Sequence, residues 1–244
     1  QWGPSNAFFN RAGETVGTMY GTKWATGCDH LPQGIPCDQF QVNDDGLLVW
    51  VGEGNSWRDG MEKNLWGTAG TVNGNTYTWG SPIVARDDQG DSFLPMGNTS
   101  PDANVSLGNN LSWKGLRLYA LFDAAVGFDV YNRTLQWGLR DNRIGLMDQR
   151  GKPDELKKPV QYYLELYHQN APNSFFTEDG SYVKLRELSL SYNLSQSLTR
   201  SLFGQVVEDA SLSLTGRNLF TWTDYRGYDP EVGQGGGQGG SSAL

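Results

Sequence analysis

The sequence predicts an all-β protein whose strands form an antiparallel meander with long loops. Residues 209–222 and residues 116–124 both alternate apolar and polar side chains in the two-residue period of a strand with one apolar face. The chain also contains 32 Gly, 9 Trp, 11 Tyr and 10 Phe, a combination that suits many strands joined by turns. A transmembrane β-barrel and a soluble β-sandwich share this alternation, so the pattern alone leaves both architectures open.

Composition excludes some classes of protein. Only 37% of the 244 residues are hydrophobic, and no run approaches the ~20 apolar residues of a transmembrane helix. A barrel remains compatible, because only every second strand residue faces lipid. The formal net charge is −8 and the chain has no basic run, so we expect no nucleic-acid partner.

The first part of the chain is predicted to form short strands and hairpins. Asn43–Gly46 is a turn between apolar runs, which is typical of a β-hairpin. We expect polar, irregular segments after it at 52–75 and 95–110. The predicted elements are a strand at about 14–24, a loop at 25–38, a hairpin of 40–42 with 47–51, and short strands at 76–79 and 83–85 around a turn at 87–91.

Two cysteines lie close together in the 25–38 loop. Cys28 and Cys37 have no other cysteine in the chain to pair with, which predicts a disulfide and an oxidising compartment. Free thiols are one alternative. A metal site of Cys28, His30 and Cys37, with Asp29 as a fourth ligand, is another, although the spacing matches no common zinc pattern.

The segment from Leu116 to Ala124 has the features of a strand that crosses a membrane. Its even-numbered residues are all apolar, whereas Arg117 and Asp123 lie on the opposite face and need a polar environment, such as a barrel lumen. Its length is close to the ~9–11 residues that span a bilayer as a tilted strand.

The second half is predicted to contain one short helix and two further strands. Residues 138–159 read as a loop, and apolar spacing indicates a helix within 159–170. In 183–194 the apolar residues change from odd to even positions, so we expect a β-bulge near Arg186 and Glu187. Residues 195–208 connect this strand to the one at 209–222.

No pattern of catalytic, cofactor-binding or metal-binding residues emerges. The chain has no nucleophile elbow, zinc motif or phosphate-binding loop. The Asp-rich turn at 87–91 leaves a calcium site open, but it lacks the spacing of an EF-hand. Trp57 and Trp66 lie in the predicted irregular segment at 52–75, and Trp79 ends a predicted short strand. Exposed rings would stack on sugar, so we take all three as candidate ligand contacts.

Four segments resemble the SusC/RagA-type TonB-dependent outer-membrane transporters. Residues 13–24 and 116–132 are similar to two strand motifs of that family, and residues 178–192 and 216–231 are similar to its last two long motifs. The residues that carry the resemblance most specifically are Arg186, Arg217, Asn218, Leu219, Phe220, Trp222, Gly227, Asp229 and Pro230.

The resemblance implies a partial segment of a large transmembrane β-barrel in a bacterial outer membrane. It implies TonB-dependent import of an oligosaccharide or a peptide, with a SusD-like surface lipoprotein, the TonB complex and outer-membrane lipid as partners. It implies no cofactor and no enzymatic activity. A soluble β-sandwich that binds carbohydrate is the alternative, and a glycoside hydrolase with two paired carboxylates is a third reading.

The resemblance also implies an organisation and an orientation. Residues 1–232 would be the C-terminal part of an incomplete barrel, with the plug, the earlier strands and the last strand elsewhere, and 233–244 a mobile Gly/Gln-rich tail. If the complete barrel ends in the periplasm, the strand at 209–222 runs outward. The connection at 195–208 then lies inside, whereas 52–75 and 87–110 face the medium.

Overall fold

The computed structural model describes residues 12–168 and 171–233. Within these ranges the chain consists mainly of antiparallel strands, with long connections and a few short helices. The strands are β1 Thr18–Thr22, β2 Phe40–Val42, β3 Leu48–Trp50, β4 Ala69–Val72, β5 Asn75–Thr78, β6 Phe93–Asn98, β7 Ala103–Trp113, β8 Leu116–Val126, β9 Asp129–Tyr131, β10 Thr177–Asp179, β11 Tyr182–Asn193 and β12 Ser211–Thr223. The α-helices are α1 Arg133–Arg140, α2 Val160–Tyr167 and α3 Gln196–Phe203.

The four longest strands form one antiparallel sheet in the order β12-β11-β8-β7. The predicted pairing of the segments at 116–124, 183–194 and 209–222 is therefore confirmed. Lys114 and Gly115 join β7 to β8 with φ values of 45° and 87°, the left-handed backbone that a tight hairpin turn needs. The described residues form an open sheet with β7 and β12 at its edges, and no closed barrel.

The predicted bulge in β11 is confirmed at Arg186. Against β8, Leu185 pairs with Phe122 and Glu187 pairs with Leu121, so Arg186 is an extra residue in the strand. The bulge moves every later side chain of β11 to the other parity. As a result the apolar residues before and after it stay on one face of the sheet.

The other strands, together with α1 and α2, form a compact unit, which we call the loop module (residues 18–98 and 127–179). Its core joins both parts of the chain and is rich in aromatic residues. Trp24 Nε1 donates a hydrogen bond to Asn173 Oδ1 at 3.1 Å, and the Tyr162 hydroxyl donates to Asp45 Oδ2 at 2.6 Å. These two long-range contacts hold the first part of the module against the second.

Several predicted boundaries in the loop module were wrong. The 95–110 segment is not a polar loop, because it contains the end of β6 and most of β7. The strand β7 was not predicted, because Asn, Ser and Gly fill its polar positions and these residues are typical of turns. The 83–85 segment forms only an isolated bridge from Val84 to Trp24, and 52–75 includes β4.

The predicted hairpin of 40–42 with 47–51 is present as β2 and β3, and the predicted helix at 159–170 is α2. The helix α1 was not predicted, and α3 occupies part of the 195–208 connection. The proposed tail at 233–244, apart from Gly233, and the start of the chain at 1–11 lie outside the described residues. Among the residues described, no helix has the length and apolar character needed to cross a membrane.

Candidate transmembrane wall and its ion cluster

One face of the four-stranded sheet is almost entirely apolar and is exposed. The paired register places alternate residues of all four strands on this face, and Leu214, for example, is 77% exposed. Such a broad apolar surface is unfavourable in water and is typical of a surface that another apolar phase covers. The residues on it are Val105, Leu107, Asn109, Leu111, Trp113, Leu116, Leu118, Ala120, Phe122, Ala124, Val183, Leu185, Leu188, Leu190, Tyr192, Leu212, Leu214, Gly216, Phe220 and Trp222.

The opposite face of the same sheet is polar. It presents Ser and Asn along β7, Ser and Thr along β12, and Arg117, Tyr119 and Asp123 along β8. Direct hydrogen bonds link some of these side chains, as between the Ser189 and Thr215 hydroxyls at 2.8 Å. An apolar face and a polar face on strands of this length match a barrel wall between lipid and an aqueous lumen.

Five charged side chains meet on the polar face, and we call them the ion cluster (Asp123, Lys184, Arg186, Asp229 and Glu231). Lys184 is only 3% exposed, and its Nζ atom donates to both carboxylate oxygens of Asp229 at 2.8 and 2.9 Å. The same Nζ atom lies 2.5 Å from Glu231 Oε2. A buried ammonium needs such compensation, because burial without a partner costs several kcal/mol, on the order of 3–5.

Arg186 connects the cluster to the neighbouring strand. Its guanidinium donates to Asp123 Oδ2 at 2.8 Å and to Glu231 Oε2 at 3.0 Å, with a further contact to Glu231 Oε1. Leu185 and Glu187 follow the normal alternation of the strand, and Arg186 is the extra residue between them. The bulge therefore allows Arg186 to reach the polar face. The segment 224–233 is thereby fixed to β8 and β11.

Glu231 lies in the segment after β12, and its neighbours in the ion cluster shift the pKa of its carboxyl. The hydrogen bond from Arg186 lowers the pKa of its carboxyl to about 2, outweighing burial, which acts in the opposite direction. Lys184 and the Tyr182 hydroxyl also donate to it. Glu231 is therefore ionised throughout the neutral and mildly acidic range. The geometry describes a structural ion network and contains no nucleophile paired with a base.

The family-signature residues have distinct structural places. Asn218 has a φ of 51° and lies with Leu219 opposite Arg186, where the β11–β12 register shifts. Phe220 and Trp222 stack at 5.9 Å on the apolar face. Arg217 makes an exposed 3.4 Å ion pair with Glu187, Gly227 lies under the Tyr225 ring, and Pro230 begins the turn that holds Glu231.

Sequence reasoning missed Asp123, Lys184 and Glu231 as a group, although it identified Arg186 and Asp229. Lys184 and Glu231 are 47 positions apart, so no local spacing connects them. The signal within reach was Lys184 on the polar face of β11, two positions before Arg186. Two cations so close together on a lumen-facing strand indicate acidic partners from another segment.

The structure corrects two of the three candidate ligand contacts. Trp79 is 2% exposed and Trp57 is also buried, because both rings belong to the core of the loop module. Gly60 provides the space for Trp79, since a Cβ atom there would overlap the ring. Trp66 remains 51% exposed. Trp57 and Trp79 are therefore unavailable to stack on sugar, because they provide part of the apolar core of a module that has few long elements.

Cys28 and Cys37 form a disulfide with a Cα–Cα distance of 5.8 Å.

In the Asp-rich turn, Asp87 Oδ1 accepts hydrogen bonds from the backbone N–H groups of Gln89 and Asp91 at 3.0 and 2.8 Å. The Asp87 carboxylate oxygen therefore stabilises the turn through these backbone hydrogen bonds. The described residues contain no group of three or more His, Cys, Asp or Glu that would hold a metal ion.

A cavity of about 390 Å³ opens in the loop module beside residues 224–233. Apolar side chains and three charged ones share its lining, and Arg226 contributes from the segment after β12. Arg226 also pairs with Glu178 at 2.9 Å. The volume falls within the range of about 300–1,000 Å³ that is usual for small-ligand sites. The lining residues are Lys23, Trp24, Thr26, Asp45, Leu47, Leu146, Ser174, Phe175 and Arg226.

The connections of the sheet are strongly asymmetric. The loop module and residues 224–233 lie at one end, where β7 and β11 begin, and we call it the module end. The opposite end, which we call the turn end, carries, within the described ranges, only the 114–115 hairpin and the 194–210 connection. Outer-membrane barrels have short periplasmic turns and longer extracellular loops. The sheet thus has the form of a transmembrane β-barrel wall whose module end carries the elaborate loops.

Comparison with known proteins agrees with this class. No protein-family model matches the chain. TonB-dependent receptor P3 of Formosa agariphila is 31% identical over 172 residues, which are 68% of this chain and 17% of that protein. TonB-dependent receptor P26 of the same organism is 28% identical over 157 residues, 62% of this chain and 15% of that protein. With its sequence signatures, the chain belongs to the TonB-dependent receptors of the SusC/RagA type.

Two further comparisons have lower identity. TonB-dependent receptor P39 of Formosa agariphila is 22% identical over 246 residues, 91% of this chain and 22% of that protein. A chain of the RagAB peptide importer in its open-open state aligns with 88% of this chain and 20% of its own length, at 21% identity and a TM-score of 0.45. The chain spans less than a quarter of the length of the curated relatives it matches.

Proposed function

We propose that this chain is part of a transporter that imports an oligomeric nutrient, an oligosaccharide or a peptide, across a bacterial outer membrane. The observation that carries the proposal is the sheet with one apolar exposed face and one polar face. A soluble sandwich would cover the apolar face with a second sheet, and the described chain does not provide one. The curated relatives are named as receptors and not as enzymes, which agrees with a transport role.

The partners follow from the family. A SusD-like surface lipoprotein covers the module end, and the TonB complex supplies energy through regions of the transporter outside this chain. In this arrangement β7, β8, β11 and β12 provide barrel wall, and the loop module faces the medium. No residue of the chain performs covalent chemistry on the cargo.

A deletion of the full-length gene tests the proposed import. The deletion strain loses growth on one oligomeric glycan or peptide and keeps growth on the corresponding monomer, because only the oligomer needs active uptake. In the wild type the protein partitions with outer membranes and changes its gel mobility on heating. Unchanged growth on every oligomer, together with a detergent-free soluble protein, would favour a carbohydrate-binding module instead.

The loop-module cavity is the proposed contact point for the cargo at the outer surface. Lys23 lines it and makes no ion pair within the described residues, so its ammonium is available for an acceptor oxygen of the cargo. We expect Lys23→Ala to raise the half-saturating cargo concentration about tenfold, the equivalent of about 1.4 kcal/mol. Uptake assays on cells that carry the full-length variant measure this change.

The matched control is Lys63→Ala, because Lys63 is exposed and its ion pair among the described residues is the one with Asp59 at 3.5 Å. The control variant retains the wild-type half-saturation. If Lys23→Ala and Lys63→Ala give the same uptake curve, the cavity has no part in cargo binding.

A further inference from the structure

The connection at the turn end contains a short amphipathic helix. The Ser195 hydroxyl accepts a hydrogen bond from the Leu198 N–H and begins α3, and Gly204 ends it with a φ of 69°. At about 100° per residue, Leu198, Leu202 and Phe203 fall within one arc of roughly 140°. Gln196, Ser197, Arg200 and Ser201 fill the remainder of the helix surface.

Thr199, in the middle of the apolar arc, is buried, whereas the three large apolar side chains around it are exposed among the described residues. Leu202 is 60% exposed, and Leu198 and Phe203 are also exposed. Thr199 lies within the arc, but its hydroxyl donates to the Ser195 carbonyl at 3.1 Å, so it adds no unsatisfied polar group. A helix of this design in water would leave three large side chains hydrated, which is unfavourable by about 25 cal/mol for each Å² of apolar surface.

The position of α3 identifies what covers the arc. The helix connects β11 to β12 at the turn end, next to the last apolar-face residues of those strands, Tyr192 and Leu212. Trp113 of the apolar face lies at the same end, with Lys114 Nζ 5.0 Å from the centre of its ring. Tyr and Trp concentrate where a membrane meets water, and Lys and Arg near them face lipid phosphates. The exposed apolar side chains of α3 thus lie at the same end of the sheet as these aromatic and basic residues.

We propose that α3 lies in the plane of the periplasmic membrane surface and inserts Leu198, Leu202 and Phe203 at the boundary between headgroups and acyl chains. Arg200, on the polar arc, then faces the headgroup phosphates. Interfacial helices of other proteins combine an apolar face and a basic polar face in this way. This inference rests on the proposed outer-membrane function, because that function makes the turn end periplasmic.

Site-specific fluorescence in lipid nanodiscs tests the proposal on the full-length protein. Cys28 and Cys37 are oxidised, so a cysteine introduced by Leu202→Cys accepts a fluorophore once any unpaired cysteine elsewhere is replaced by serine. Ser201→Cys, on the polar arc of the same helix, is the matched control. Leu214→Cys, on the apolar face within β12, reports whether the wall itself is in lipid.

We expect phospholipids brominated near the headgroup to quench the label at position 202 at least twofold more than the label at position 201. Acrylamide in the water gives the opposite order. Equal acrylamide quenching at both positions would overturn the proposal, as α3 would then be in water. Protection of position 202 from both quenchers would overturn it too, since α3 would then pack against protein.

The label at position 214 separates this result from the fate of the proposed function. Lipid quenching at position 214 without lipid quenching at position 202 rejects the interfacial helix and leaves the membrane wall intact. An absence of lipid quenching at both positions rejects the transporter itself.

Discussion

At the residue scale, the ion cluster is where the terminal segment 224–233 is attached to the sheet. Lys184 is buried and shared between two carboxylates, and Arg186 connects Glu231 with Asp123. Each carboxylate retains about a quarter to a third of its side-chain exposure. Partial hydration of the carboxylates lowers the desolvation cost of the cluster. The buried Lys184 ammonium, in contrast, requires negatively charged partners at positions 229 and 231.

We expect Lys184→Met to lower the free energy of unfolding by about 2 kcal/mol, because it leaves the Asp229 carboxylate without its partner. Urea unfolding of the protein in lipid vesicles measures the change. Lys63→Met is the control, since Lys63 forms an exposed pair with Asp59 and such pairs contribute about 0–1 kcal/mol. Equal losses in the two variants would show that the cluster does not stabilise the fold.

The pKa of Glu231 predicts a pH dependence. Its carboxyl titrates near 4.5 when unfolded and at about 2 in the cluster, so the folded state favours the charged form. The stabilisation is complete above pH 4.5 and is lost as the pH falls toward 2. We expect the difference in urea midpoint between the wild type and Glu231→Gln to be constant from pH 7 to pH 5 and to shrink below pH 4.5. A difference that grows toward acid pH would have the wrong sign.

At the scale of the element, the bulge in β11 reconciles the amino-acid pattern with the sheet. Val183 and Leu185 precede it at odd positions, and Leu188 and Leu190 follow it at even positions, yet all four lie on the apolar face. A regular strand would place one of these pairs on the polar face. The extra residue, Arg186, is the one that enters the ion cluster, so the bulge serves both the lipid-facing pattern and the polar network.

Adjacent positions of β12 distinguish the two faces experimentally. Leu214→Lys places a charge on the apolar face, and we expect it to destabilise the folded barrel by about 2–4 kcal/mol near the bilayer midplane. Ser213→Lys places the same charge on the polar face, where water solvates it, and we expect a change below about 1 kcal/mol. The fraction of protein with heat-modifiable gel mobility in urea series reports both values. The opposite ranking would mean that the faces are assigned the wrong way round.

At the scale of the whole molecule, the asymmetry of the connections is the basis of the proposed orientation. The loop module occupies the module end, and its core combines residues from before and after the hairpin of β7 and β8. Among the described residues, the turn end has the 114–115 hairpin and the 194–210 connection, both shorter than the loop module. In the proposed orientation this distribution exposes the module to the medium.

Labelling of intact cells tests the orientation. Asp88→Cys lies in the exposed Asp87–Asp91 turn of the loop module, and Ser197→Cys lies on α3 at the turn end. We expect a membrane-impermeant maleimide to label position 88 in intact cells and position 197 only after the outer membrane is permeabilised. Labelling of position 197 in intact cells, with position 88 protected, would invert the assignment.

The sequence by itself determined the features that depend on local period and local chemistry. Alternation over 116–124 and 209–222 identified β8 and β12, and the change of parity near Arg186 located the bulge, because side-chain direction in a strand follows residue number. Cys28 and Cys37 are nine positions apart, close enough for the pairing to be predicted. The motifs of residues 178–192 and 216–231 identified the family.

Only the tertiary structure decided which distant residues meet. Trp24 and Asn173 are 149 positions apart, and Lys184 is 47 positions from Glu231, so no local pattern predicts either contact. The same limitation explains the error at Trp57 and Trp79: an aromatic residue in a loop has the same local sequence whether it is exposed or buried. Burial depends on what the rest of the chain places above the ring, and in this molecule that is the core of the loop module.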